Sequence, residues 1–170
     1  MDNLEKSLFL ILGPEGAGKR SFFACYKNSF LKCLPLMTLE EGISKNISFS
    51  FLSKLDKEEN IASLLRKAHQ KGYRIIVYLL FGARLLLQER NRFLYLSKGE
   101  FWPKEGFREE YETFYNKIIY LYSNFDLVFF VTNQKEFAFS GVYAVSKVSI
   151  SAFEKILRKQ KAAVDKLSLS

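Results

Sequence analysis

The sequence predicts an α/β fold: a central, mostly parallel sheet with helices on both faces and a helical lid. Two observations carry it. Residues 7–12 are an apolar run of strand length that turns through Gly13, Gly16 and Gly18 into a helical pattern beginning at Lys19. Two later runs, Tyr73–Phe81 and Asp126–Asn133, are nearly continuously apolar, as strands covered on both faces must be. With 170 residues, no internal repeat and no linker-like tract, the chain reads as one domain over 1–170, large enough to bury a core.

The first junction has a recognisable chemistry. Gly13-Pro14-Glu15-Gly16-Ala17-Gly18-Lys19 matches the spacing of a phosphate-binding P-loop, between a strand and a helix as that motif requires. Glycines allow backbone N–H groups to turn inward around an anion, and the helix N-terminus adds partial positive charge. The predicted cradle is Gly13, Gly16, Ala17, Gly18, Lys19, Arg20 and Ser21, with Lys19 reaching the terminal phosphates of ATP. Arg20 stands where a Ser or Thr hydroxyl normally meets Mg²⁺. Ser21 follows one place later, where adenylate kinase loops also carry a hydroxyl, and is the candidate metal ligand.

Next, residues 21–30 read as a helix, with Phe22, Phe23, Tyr26 and Phe30 at near-helical intervals. Cys33 to Thr38 reads as a second parallel strand. Glu40 and Glu41 then fall at a strand's C-terminal end, where ligand crevices form in open α/β sheets, and either could act as a base. They read equally well as first-turn helix charges or as part of a polar loop. Ile47 to Leu52 alternates like a half-buried strand. A helix is expected from Asp56, with Glu58 and Glu59 in its first turn, Ile61, Leu64, Leu65 and Ala68 inward, His69 in its last turn and Gly72 as its C-cap. Tyr73–Phe81 is the strongest strand and ends at Gly82.

Ala83 to Leu96 is expected to be a helix bearing Arg84, Arg90 and Arg92. A loop at 98–106 follows, with Gly99, Pro103 and Gly106 as breakers, and then a helix from Phe107 to Asn124. An arginine-bearing helix, a loop and another helix have the layout of a lid over a phosphate donor, where guanidinium groups neutralise a moving phosphoryl group. Arg90 and Arg108 are the candidates, against the plainer reading of an exposed basic face. An edge strand is expected near Val142–Val145, and a helix from Ser149 to Val164 precedes frayed ends from Leu167.

The formal charge of +8 favours anionic partners: nucleotide phosphates, nucleic acid or an acidic membrane. The charge is dispersed and no aromatic RNA-binding signature accompanies it, which argues against nucleic acid. The apolar run from Ile75 to Ala83 is too short to span a bilayer as a helix. Cys25 and Cys33 fit no zinc spacing, and with no signal peptide they read as reduced thiols of a cytoplasmic protein.

The ordered segments from 13 to 133 resemble the zeta-toxin family of P-loop kinases. They comprise the loop itself, Ser48-Phe49-Ser50-Phe51, residues 68–78, Glu89-Arg90, Trp102-Pro103, Phe107-Arg108-Glu109-Glu110-Tyr111 and residues 126–133. The resemblance implies ATP- and Mg²⁺-dependent phosphorylation of UDP-N-acetylglucosamine on its sugar, and a small helical antitoxin partner. Several positions depart from the family. Its acidic base has only Glu40 or Glu41 as local counterparts, and its Glu-Thr pair at a strand end is Leu52-Ser53. The second lid arginine is Leu94, and its Gly-Gly-His is Lys98-Gly99-Glu100. The arginine before Tyr111 is Glu110, leaving Arg108 nearby, and the closing Asp-Asn is Thr132-Asn133.

Three functions follow. The first is an ATP-dependent phosphotransferase of this type. The second is a catalytically inactive kinase fold used to bind a nucleotide or protein. The third, a nucleoside-monophosphate kinase, ranks last because the Asp-Gly-x-Pro-Arg segment of adenylate kinases is absent.

Overall fold

The computed structural model describes residues 5–29, 31, 34–56, 60–81, 84–133 and 143–168. Its strands are β1 (Lys6–Leu12), β2 (Phe49–Ser53), β3 (Tyr73–Phe81), β4 (Leu127–Asn133) and β5 (Tyr143–Val148). They form one five-stranded sheet in the order β2-β1-β3-β4-β5. The first four are mutually parallel, and β5 joins β4 antiparallel at one edge. The helices are α1 (Lys19–Tyr26), α2 (Leu39–Lys45), α3 (Ile61–Gln70), α4 (Arg84–Ser97), α5 (Lys104–Leu121) and α6 (Ile150–Ser168). The α/β class expected from the sequence is the one observed.

Burial explains the strand composition. Leu8, Leu10, Ile11 and Leu12 of β1, and Ile75, Val77 and Leu79 of β3, are wholly inaccessible to solvent. Helices cover both faces, so neither strand can alternate apolar with polar. Phe22 of α1 and Phe153 of α6 are equally buried. The Tyr78 ring lies against Phe129 at 5.1 Å, and burial pushes its phenol up to about 12.

The chain leaves β1 for β2 on one side and then crosses to β3 on the other. The reversal puts a crevice outside the carboxyl ends of β1 and β3, the usual ligand position in such sheets. At the opposite rim, Asp126 fixes the strand starts. Its Oδ2 accepts from the Ile75 N–H at 2.7 Å and lies 2.9 Å from His69 Nε2, while its own N–H donates to Ile75 O at 2.9 Å. His69 is therefore a helix-end residue, as its sequence position indicated.

Several expectations need correction. Residues 34–38 form no strand: one parallel bridge joins Leu36 to Ser50, and Cys33 lies outside the described residues. Thr38 instead caps α2, its Oγ1 accepting from the Glu41 N–H at 3.2 Å. Glu40 and Glu41 are thus first-turn helix charges. α3 begins at Ile61 after Asn60; Glu58 and Glu59 are outside the described residues, as are Phe30, Gly82 and Ala83. α5 starts at Lys104, so Gly106 is helical rather than a breaker, and α5 gives way to a 3-10 turn at Tyr122–Asn124. The edge strand runs past the expected Val145 to Val148, with Val142 outside the described residues, and α6 runs to Ser168.

Gly42 shows how closely α2 meets the sheet. A Cβ there would lie 2.4 Å from the ring of wholly buried Phe49. Gly42→Ala gains about 1 kcal/mol of helix propensity but overpacks the core by about 1–3 kcal/mol. The expected outcome is net destabilisation, read as a lower urea midpoint, with Phe49→Leu restoring part of it in the double variant.

Candidate functional site

The site grows from the way β1 ends. Leu12 is in register with Ser53 of β2 and Leu79 of β3. The next residue, Gly13, donates its N–H to Ser53 O at 3.3 Å. The loop then turns with Gly16 at φ 81° and Gly18 at φ 86°, left-handed values that side chains disfavour. A Cβ on Gly16 would come within 3.1 Å of Leu87 O, so α4 packs directly on the loop. The Ala17 N–H donates to Pro14 O at 3.2 Å, closing one turn within it.

Lys19 opens α1 and folds back over this turn. Its Nζ donates to Gly13 O at 2.7 Å and Pro14 O at 3.1 Å. Burial first, and then repulsion from Lys54, lower its ammonium to about 8; Glu15 and Asp56 act the other way. A partly buried cation facing a second cation is a site whose energy falls when an anion arrives. The loop therefore suits phosphate groups. For Mg²⁺ the fit is slimmer. Ser21 offers a half-buried hydroxyl one turn into the helix, and no group of three acidic, His or Cys side chains is placed for a metal among the described residues.

Beside the loop lies a charged cluster that sequence reasoning missed. Lys54, immediately after β2, has its Nζ 3.2 Å from Asp56 Oδ2, 3.3 Å from Glu110 Oε2 and 3.8 Å from Glu15 Oε2. Burial disfavours its charge, but the carboxylates outweigh that and raise its pKa. Glu110 is also raised, chiefly by burial and by the neighbouring Glu15, against the opposing pull of Lys54. In the sequence Glu15 stands only as a spacer of the loop motif, and Glu110 only in place of the family's arginine. The readable signal was Lys54 itself, a lone cation at the carboxyl end of a strand beside the loop.

The other predicted residues are distributed unevenly. Arg20 is exposed and faces a groove of about 590 Å³ formed with Phe23, Leu36, Met37, Phe51 and Leu52, with Thr38 and Glu41 at its rim. Glu41 is brought to this groove but pairs with Lys45 at 2.7 Å; Glu40 is exposed on α2 and does not line it. Arg90 is half-buried on α4. Its neighbour Asn91 is buried against Gly16, and its Oδ1 accepts from Trp102 Nε1 at 2.8 Å, tying the 98–103 loop to α4. Arg108 pairs with Glu112 at 3.3 Å on the exposed side of α5, two residues from Glu110 and so turned away from the Lys54 cluster.

No protein-family model matches the chain, and no curated protein matches it. Among solved structures, a chain from the PezAT chromosomal toxin-antitoxin system of Streptococcus pneumoniae superposes with a TM-score of 0.55 at 11% identity. The alignment covers 100% of this chain and 90% of that one. At this identity the likeness shows the fold, over the whole length described above.

The lowered Lys19 predicts a pH dependence for anion binding. A bound phosphate favours the charged lysine and so raises its pKa, meaning that binding takes up a proton wherever the free lysine is neutral. Affinity for ATP is expected to be level below about pH 8 and to fall above it, by up to about tenfold per pH unit. Lys19→Arg keeps its charge and flattens the profile; calorimetric titration across pH 7–10 checks both.

Proposed function

We propose that the chain binds a nucleoside triphosphate on residues 13–21 and acts as an ATP-dependent phosphotransferase of the zeta-toxin type. One observation carries the reading. Lys19 stands at the mouth of the sheet, its ammonium held over a turn whose φ angles demand glycine. In this reading the Lys19 ammonium, still charged, would turn its N–H groups from the Gly13 and Pro14 carbonyls to the β- and γ-phosphates. The Ser21 hydroxyl would hold Mg²⁺ together with phosphate oxygens, as magnesium sites built mainly on substrate do. Magnesium supplies charge neutralisation there, while Arg90 would approach the moving phosphoryl group.

The acceptor would enter the groove beside Arg20, with Glu41 receiving its hydroxyl proton after release from Lys45. The groove wall is largely apolar. UDP-N-acetylglucosamine is the acceptor the family resemblance implies. The toxin-antitoxin origin of the structural neighbour is consistent with a small helical partner for this chain too.

A second reading is an inactive kinase fold retained as a binding module. Two observations favour it: Glu110 pairs with Lys54 where the family carries an arginine, and Arg108 is engaged by Glu112.

Thermal melts and ADP release separate these readings. A ligand at about 100 times its Kd stabilises by about 2.7 kcal/mol, or about 5–10 °C for a chain of this size. Mg·ATP is expected to produce such a shift in the wild type and none in Lys19→Ala. ADP release that depends on UDP-N-acetylglucosamine supports the kinase; binding without turnover supports the module. No shift at millimolar ATP ends both nucleotide readings.

A further inference from the structure

The cluster around Lys54 has no role in the reaction outlined above, yet the fold holds it in place by unusual means. Ser53 O receives the Gly13 N–H, so Lys54 begins one residue from the phosphate-binding loop. The residue after it, Leu55, is wholly buried and has φ 61°, a left-handed conformation uncommon for any side chain and adverse for a bulky one. Two contacts hold that strained turn. The Leu55 N–H donates to Ser53 Oγ at 2.8 Å, and Lys117 of α5 donates to Leu55 O. Strain of this kind persists only where the surroundings over-determine it.

Structural stabilisation is a weak explanation for this arrangement. Three carboxylates converge on one ammonium whose side chain is still 28% exposed, and ion pairs with that access to water add little to stability. Their partners also come from three places: Glu15 from the loop, Asp56 from the strained turn and Glu110 from α5. Such a set does define where the ammonium rests. It rests close enough to Lys19 that the two cations repel, which makes a shared anion favourable to both.

We propose that Lys54 is a second polyphosphate-binding cation of the loop site, held ready by Glu15, Asp56 and Glu110 and transferred to the phosphate chain when a nucleotide seats. The inference rests on the nucleotide reading and extends it. Arg20 displaces the usual metal-binding hydroxyl, so a lysine supplying charge from the protein offsets part of what the metal would otherwise neutralise. The carboxylates compete with the phosphates for Lys54, and this gives the proposal its own sign. Removing one competitor tightens anion binding, whereas a cluster that positioned the loop would lose affinity when a partner is removed.

The test is calorimetric titration of the full chain with ATP and with inorganic tripolyphosphate, with Mg²⁺ and with EDTA. Wild type, Lys54→Met, Lys54→Arg, Glu110→Gln and Lys19→Met are compared after thermal melts establish that each is folded. Lys54→Met is expected to weaken both ligands by about tenfold or more, most strongly in EDTA, with Lys54→Arg recovering most of the loss. Glu110→Gln is expected to tighten tripolyphosphate binding by about threefold. Should Lys54→Met bind within twofold of wild type while Lys19→Met fails, or should Glu110→Gln weaken binding, the Lys54 assignment is overturned and the nucleotide reading stands. If Lys54→Met does not fold, Lys54→Arg and Glu110→Gln decide the matter by the same signs. A wild type that binds neither ligand removes the nucleotide reading itself.

Discussion

The hydrogen bond from the Gly13 N–H to Ser53 O closes the parallel ladder between β1 and β2 at its last rung. Everything at the crevice is referred to it. It sets where the loop leaves the sheet, and hence where Gly16 and Gly18 must reverse the chain. It also sets where β2 stops and Lys54 begins. With both faces of β1 buried, the register is set by packing: a slip of one residue would exchange the side chains that fit against the helices on either face. The wholly buried run Leu8, Leu10, Ile11 and Leu12 thus holds two distant lysines in one neighbourhood.

Opposed charges balance within that neighbourhood. Lys19 and Lys54 repel, and their repulsion is moderated by Glu15 and Asp56. Glu110 reaches the same cluster from α5, so the helical layer over the crevice is electrostatically joined to the loop below it. Asn91 joins the two a second way, lying against Gly16 while accepting from Trp102. A ligand that draws Lys54 toward itself changes the partner available to Glu110. In this arrangement α4 and α5 are tied to the loop through a charge as well as through packing.

The legible parts of the chain were those whose signal is local. The apolar runs of β1, β3 and β4 and the glycine spacing of the loop each sit within a dozen residues, and the sheet and its crevice followed from them. Residues 34–38 misled because a short apolar run has a strand's composition yet makes a single bridge, whereas the first-turn reading of Glu40 and Glu41 is borne out by the Thr38 cap on the Glu41 N–H. Of the Lys54 cluster only the lysine itself, at the carboxyl end of a strand, left a local signal; its partners left none. Its members stand at 15, 54, 56 and 110, and no periodicity links them. The left-handed turn at Leu55 leaves no trace in composition, since glycine or asparagine is the residue type that would have announced it.

The clamp at Asp126 gives the molecule a mechanical polarity. One carboxylate ties the first residues of β3 to the chain entering β4 and to the end of α3. Sliding of these strands past one another is thereby blocked at the rim remote from the glycine turn. The two rims of the sheet are thus held differently: by a side-chain carboxylate at one, and by the backbone hydrogen bonds of Gly13 and Ala17 at the other.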